Sequence, residues 1–423
     1  MTLVLALTVG GSCAPIVAAV RDYKPDFVCF FATGGARGSR QTVDGPGRPC
    51  RTDTGDAPSI VAQASLPADS YQIVEVEDPD DPEGIFATCH RVLCELAQRF
   101  PEARYVADYT GGSKSMSVGL SLAALGCGWD LSLVRGQRPD LVKVANGTEM
   151  AGLVNAWNIR VRQQMEEARR LFNSYAYASA SALLGNLIRQ HPVSSPLDRT
   201  LRLWVAYSRG FDAWDRFDHA GAAQILSALP GEGIPWPFLK ALVGQTHATG
   251  YEPVMDLIRN AERRAARGRY DDAVARLYRA IELLAQTRLR QREPPIDSAN
   301  LDVEVLPAHL RPKYERKRAS GIEQGWGTQV KLGLFQDYCL LAELDDPLGR
   351  LFDSVGNRLR EALKKRNHSI LAHGSKPLQK GDYDEMHAIT IDLVERGLDS
   401  LGVRVAAPQF PQLDEGGLRP RAG

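Results

Sequence analysis

The chain has 423 residues, 44% apolar and 24% charged, ordinary proportions for a globular protein with room for two or three domains. Lys and Arg together number 51, as do Asp and Glu, so global charge gives no steering toward a polyanion and any nucleic-acid contact falls to local patches. The seven cysteines form no CxxC pair and are odd in number, which argues against a structural zinc site and reads as reduced, mostly buried thiols in a cytosolic, cytoplasmic protein.

The opening run MTLVLALTVGGSCAPIVAAV is as apolar as a signal peptide, but no Lys or Arg precedes it and Gly10-Gly11 break it early. A buried strand turning into a helix explains it better. No other apolar run nears the ~18 residues of a membrane span. Up to about residue 155 strand and helix signals alternate. Strands are expected at LVLALTV (3–9), DFVCFFAT (26–33), YQIVEVE (71–77) and ARYVADYT (103–110), with WDLSLVRG and LVKVANG closing the sheet. The runs after the first, third and fourth of these have helical spacing. Continuous apolar strands separated by helices imply a parallel sheet covered on both faces. Between Gly34 and Pro67 a Gly-, Pro- and Arg-rich segment reads as a mobile insertion. The acidic run EVEDPDDPE (75–83) reads as a solvated loop.

From residue 156 onward the pattern is helical. An aromatic-x-x-Ala element recurs at Tyr177, Phe217 and Tyr270, but at unequal spacings, so it defines no repeat array. Residues 347–374 read as one long helix stopping at Gly374. DYDEMHAITIDLVERGLDSLG reads as the last helix, and the Pro- and Gly-containing tail 406–423 as frayed.

Two predicted strands end in glycine pairs that open helices, LTVGGSCAP (7–15) and DYTGGSKSM (108–116). Glycine admits a close ligand, and a helix N-terminus offers free N–H groups and partial positive charge. Neither Walker A nor GxGxxG is present. Each turn alone reads better as a tight connection capped by serine; two in one domain, one with a lysine, make phosphate binding an equal reading. DYTGGSKSM and LTVGGS-x-x-P resemble the signature of the CARF domain, the Rossmann-like sensor of CRISPR-associated proteins, over roughly residues 1–155. The resemblance implies an α/β Rossmann-like sensor binding cyclic oligoadenylate across a two-fold homodimer. Its implied ligand positions are Thr8, Gly10, Gly11, Ser12, Gly111, Gly112, Ser113 and Lys114, with Thr33 at the end of the second strand.

The other concentration of chemistry is RNHSILAHG, Arg366 to Gly374. On one continuous helix Arg366 and His373, seven residues apart, nearly eclipse at about 10 Å along the axis, while His368 points elsewhere. Arg and His also cap helix ends for purely structural reasons. As a pair, though, they suit RNA cleavage by the substrate's own 2′-hydroxyl, the histidine moving protons and the arginine holding the phosphate. No HExxH and no His/Cys/Asp cluster at ligand spacing stands out, so no metal and no cofactor is expected.

The string resembles the HEPN ribonuclease motif, and GRYDDAVARLYRAIELLAQ (268–286) resembles the first HEPN helix. The whole chain then resembles the CARF–HEPN ribonucleases of type III CRISPR systems, which serve antiviral defence. The implied order is sensor 1–155, all-α helical connector 156–255, all-α HEPN domain 256–405 and flexible tail 406–423. The resemblance implies Arg366, Asn367 and His373 as catalytic residues, single-stranded RNA as substrate, allosteric activation, and products ending in 2′,3′-cyclic phosphate. The basic stretch RPKYERKR (311–318) is a candidate RNA guide or simply a solvated face. Two other classes stay open at this level: a sensing adaptor without catalysis, and a phosphotransferase built on the Gly-Ser-Lys turn.

Overall fold

The structure is a computed structural model and describes all residues except 36, 53–54, 137–147, 155–156, 191–194, 324–329, 368, 370–373, 415 and 422–423. It divides into two compact units, Met1–Gln163 and Gln164–Gly423.

The first unit runs β1 (Leu3–Thr8), α1 (Ala14–Tyr23), β2 (Phe27–Thr33), α2 (Arg40–Asp44), β3 (Cys50–Thr52), β4 (Gly55–Ala57), α3 (Ile60–Ala64), β5 (Tyr71–Val76), α4 (Pro82–Arg99), β6 (Arg104–Asp108), α5 (Lys114–Cys127), β7 (Asp130–Arg135) and β8 (Met150–Val154). Helix α6 (Trp157–Asn173) leads out of it. The main sheet has the order β5-β2-β1-β6-β7-β8, parallel except for the antiparallel edge strand β8. Strand period decides what each face meets. Val4, Ala6, Phe27, Cys29 and Phe31 point to one side, where Leu93 of α4 and Leu120 of α5 cover them. Leu5, Leu7, Val28 and Phe30 point to the other, under Ile16 and Val20 of α1. All of these are fully buried or nearly so. The sequence expectation of a parallel α/β sheet covered on both faces holds. The expected strand at 141–147 lies outside the described residues; the sixth strand is β8, whose half-exposed pattern gave little signal.

Two expectations fail in this unit. The segment from Gly34 to Pro67 is folded, forming α2, the β3–β4 hairpin and α3. It sends Val43, Cys50 and Ile60, all 0% exposed, into the core beside α1. A few well-placed apolar side chains outweigh its loop-like composition. Cys13 and Cys50 are joined as a disulfide, not held as free thiols. The insertion folds back far enough to bring the start of β3 against the start of α1. Cys29, Cys89, Cys94, Cys127 and Cys339 are free.

The second unit is helical: α7 (Tyr177–Gln190), α8 (Ser195–Asp215), α9 (His219–Ser227), α10 (Trp236–Leu242), α11 (Glu252–Ala266), α12 (Tyr270–Arg290), α13 (Arg311–Glu323), α14 (Leu334–Glu343), α15 (Pro347–Asn367) and α16 (Lys380–Ser400), closed by a hairpin of β9 (Gln412–Asp414) and β10 (Gly417–Arg419). α12 is its spine, burying Ala273, Leu277, Ala280, Ile281 and Leu284 against α14 and α16. The tail is not frayed. Phe410 is 1% exposed among Tyr177, Phe211 and Trp214, with the Arg263 guanidinium 3.7 Å from its ring centre. Leu413 donates to Asn173 Oδ1 at 2.7 Å and its carbonyl accepts from Asn173 Nδ2 at 3.0 Å. Sequence composition hid this because a single aromatic anchor and one hairpin suffice to dock the segment. Among the described residues no helix is long and apolar enough to cross a membrane.

Candidate functional site

In the first unit, strand order reverses between β1 and β6: the chain builds outward from β1 through β2 to β5, then returns to β1's other side. Ligands of open parallel sheets bind at the carboxyl ends of strands at such a reversal. Both glycine turns sit there. They are pressed together so closely that a Cβ on Gly10 would lie 2.7 Å from the Gly112 backbone nitrogen, and one on Gly111 would lie 2.2 Å from the Thr8 carbonyl. Gly112 has φ +84°, where a side chain is strained. Thr8, 0% exposed, donates its hydroxyl to the Gly111 carbonyl at 2.7 Å. Glycine is thus required at 10, 111 and 112 for the turns to meet.

The nine sequence-derived ligand positions divide accordingly. Gly11, Ser12 and Lys114 face solvent, with open space around Gly11. Gly10, Gly111 and Gly112 supply backbone, and Thr8 ties the turns. Ser113 caps α5, its hydroxyl accepting from Met116 N at 3.1 Å and donating to the Pro79 carbonyl. Thr33 ends the neighbouring strand β2, its hydroxyl accepting from Ser39 N at 2.9 Å. The N-termini of α1 and α5 both open here, which favours an anion electrostatically. Of the six exposed carboxylates in the acidic run beside the second turn, three are engaged: Glu75 pairs with Arg40 at 2.7 Å, Asp78 accepts from Asp80 N, and Asp81 caps α4.

Asp108 was not foreseen. It ends β6, 0% exposed, and accepts from Ser132 Oγ at 2.6 Å and Thr110 N at 3.0 Å. Burial raises its pKa, while Ser132 and Thr110 hold it down. It fixes the root of the second turn. An Asp two residues before Thr-Gly-Gly is the only trace of this in the sequence.

In the second unit the helix expected over 347–374 ends early. α15 stops at Asn367, Ser369 N closes on the Arg366 carbonyl at 2.9 Å, and Ser369 bridges Lys376. Asn and Ser compete for backbone hydrogen bonds and favour such exits; Ser369, 2% exposed, is buried by the departure. The helical-wheel argument pairing Arg366 with His373 therefore does not apply. His368 and His373 lie outside the described residues. Arg366 is half-buried at the last turn of α15, its guanidinium 4.9 Å from the Tyr278 ring centre and its Nη1 donating to Asn367 Oδ1 at 3.2 Å. Asn367 is exposed. The basic stretch in α13 is partly neutralised, Arg311 by Glu304 and Lys313 by Glu343.

Near Tyr278 stands another carboxylate the sequence did not single out. Asp337 in the first turn of α14 is 0% exposed, and among the described residues neither carboxylate oxygen has a hydrogen bond of good geometry. Burial pushes its pKa up to about 7, helped by Glu282; Ser298, Gln286 and Arg279 pull the other way. A carboxyl that holds its proton more tightly when folded stabilises the fold at low pH. That contribution falls as pH rises from about 4 to about 7 and then levels. Asp337→Asn should remove this slope. The full displacement is worth about 4 kcal/mol, and after the cost of burying an amide a gain of roughly 1–2 kcal/mol at pH 8 is expected, with none near pH 4. Urea unfolding across that range checks it.

A third grouping joins side chains that no motif spacing in the sequence joins. His90, Cys94 and Cys127 each offer one ligand atom, all within 4.8 Å of one another.

Comparisons with known proteins bear on both units. A family model described as Csm6 HEPN domain matches residues 245–396, and one described as Csm6 6H domain matches 161–241, together more than half of the chain. Among solved structures, Enterococcus italicus Csm6 bound to cyclic hexa-2′-fluoro-hexa-dAMP is similar at TM-score 0.62 and 14% identity, with 95% of each chain covered. At that identity the likeness is one of fold, and it extends over both units. Can2 from Sulfobacillus thermosulfidooxidans in complex with cyclic tetra-adenylate matches at 16% identity over 53% of this chain and 68% of its own, with a TM-score of 0.23. No relative is found among curated proteins.

Proposed function

This chain is a CARF–HEPN protein of the Csm6 type, and we propose that it is a CRISPR-associated endoribonuclease switched on by cyclic oligoadenylate. The observation that supports this most directly is Arg366. It lies in the last turn of α15 over the ring of Tyr278, two residues before His368 in the string that also holds His373, inside the stretch that matches a HEPN model. The activator reading draws on the paired glycine turns at the sheet's reversal and on the fold shared with a Csm6 that binds a cyclic hexanucleotide analogue.

The activator sits across a homodimer of sensor units, its rotational symmetry matching an isologous contact. Backbone N–H groups of Gly10 to Ser12 and of Gly111 to Lys114 face its phosphates, with Lys114 adding charge. It favours the active arrangement by binding it more tightly than the resting one. In the nuclease half, Arg366 holds the scissile phosphate of single-stranded RNA and stabilises the charge that grows on it. His373 moves the protons as the 2′-oxygen attacks phosphorus and the 5′-oxygen leaves. Asn367 orients the arginine or the RNA backbone. The products carry a 2′,3′-cyclic phosphate and a 5′-hydroxyl, and the step closes without a metal ion.

The test is cleavage of a fluorogenic single-stranded RNA in excess EDTA, with no activator, cyclic tetra-adenylate or cyclic hexa-adenylate. Cleavage with one ring and not without it is the expected result. Ligand binding with no cleavage by either ring would replace this reading with a sensing adaptor. Lys114→Ala should raise the activator concentration for half-maximal cleavage about tenfold, the worth of one charge-assisted contact, and leave the rate at saturation unchanged. A titration at low and high salt checks it, because the difference shrinks with screening.

A further inference from the structure

At the opposite end of α5 from the glycine turns, in the sensor unit, α4 places His90 and Cys94 one turn apart on one face. α5 delivers Cys127 as its last residue, and Leu93, Leu96, Leu120 and Ala124 pack the two helices together in one core. We propose that His90, Cys94 and Cys127 bind a soft divalent metal ion, zinc foremost, with water completing the coordination. This stands independently of the nuclease reading.

The donor set points to that ion. Two thiolates and an imidazole are the ligands zinc takes up, and the two negative charges cancel a divalent cation. Geometry comes close. Zn–S of about 2.3 Å and Zn–N of about 2.0 Å in a tetrahedron set the two sulfurs about 3.8 Å apart and each about 3.5 Å from the nitrogen. Cys94 and Cys127 Sγ are 3.3 Å apart, and all three ligand atoms fall within 4.8 Å of one another, so side-chain shifts of about an ångström or less form the site. An aliphatic pair would fill this surface as well without bringing three donors to a point. The site is reachable, His90 being exposed and both cysteines half-buried.

The surroundings leave room for the imidazole. A Cβ on Gly126 would lie 3.8 Å from His90 Cδ2, and Gly128, at φ +79°, turns the chain away directly after Cys127. Phe86 flanks the ring, 5.6 Å between centres. Burial, with Cys94 beside it, pushes the Cys127 thiol up to about 12, and Arg160 pulls the other way. The Cys127 thiol therefore holds its proton at neutral pH until a metal displaces it. Uptake releases protons and weakens as pH falls. A bound ion cross-links α4 to the end of α5, the helix whose first turn carries Lys114.

The experiment is cobalt titration of the full-length, metal-free protein in a phosphine reductant. The expected result is a sulfur-to-cobalt charge-transfer band saturating at one cobalt per chain and bleached by zinc. Cys127→Ser should abolish it, His90→Ala should weaken binding at least tenfold, and Cys339→Ser should leave it intact. In the wild type, which avoids any folding defect of the variants, zinc should protect Cys94 and Cys127 from alkylation while Cys339 is modified at its usual rate. No thiolate band, a band that survives Cys127→Ser, or equal alkylation with and without zinc would overturn the proposal.

Discussion

Arg366→Ala should cleave RNA between about a hundredfold and a thousandfold more slowly than the wild type at saturating activator, the usual worth of a group aimed at transition-state charge. His373→Ala should lose at least as much, since general acid–base catalysis contributes about a hundredfold to ten-thousandfold. The double variant should be little worse than either single one, because the two residues act on one event. Arg366→Lys should recover only part of the rate, a point charge replacing a planar fork. None of these changes should disturb the fold. Arg366 is half-buried and its described contacts are the Tyr278 ring and its own neighbour Asn367, a cation–π contact worth about 0.5–1 kcal/mol at such a site. Single-turnover cleavage, activator binding and thermal unfolding on the same samples separate catalysis from folding. Loss of rate with binding and stability retained is the expected pattern. Cleavage that persists in both variants would place the chemistry elsewhere.

Phe410→Ala should destabilise the helical unit by about 3–5 kcal/mol, the usual cost of emptying an aromatic site in a packed core. The ring is 1% exposed and lies 4.8 Å from Trp214 and 5.1 Å from Phe211 between centres. It also covers Arg263, which donates to Asp215 Oδ1 at 2.7 Å and to Gln409 Oε1 at 2.8 Å. Asp215 accepts from Arg264 at 2.7 Å and from Asn260 at 2.9 Å as well. Asp215→Ala should therefore cost a similar amount, because it leaves buried guanidinium charge unpaired. Chemical denaturation of each variant measures both effects. The double variant should lose less than the sum of the two single losses, since Phe410 and Asp215 meet through Arg263.

What the sequence disclosed and what it hid follow from range. The parallel sheet was legible because its central strands β1 and β2 are continuous apolar runs set between helical patterns, and the glycine turns because a doubled glycine after a strand has few uses. Contacts set by tertiary folding were not legible. Cys13 and Cys50 are 37 residues apart, and nothing local announces that Val43 and Ile60 bury the segment between them. His90 and Cys94 stand one turn apart in plain view, but Cys127 joins them only when α5 packs on α4. The error at α15 was of another kind: helical periodicity continues past Asn367 in the letters while the backbone leaves the helix to bury Ser369. Asp337 escaped notice because an acid near a helix start ordinarily marks a solvated first turn.

The docking of Leu413 onto Asn173, 240 residues earlier, bears on the order of events during synthesis. A ribosome adding about 5–20 residues per second needs roughly 12–48 s to travel from one to the other. Throughout that interval Tyr177, Phe211 and Trp214 have no Phe410 to cover them, and Arg263 lacks its aromatic lid. The sensor sheet, complete by Val154, has every partner it needs long before. A nascent chain therefore possesses a finished sheet unit while the helical unit still waits for its last contact, and the RNA-degrading activity proposed there would stay immature beside the ribosome that is making it.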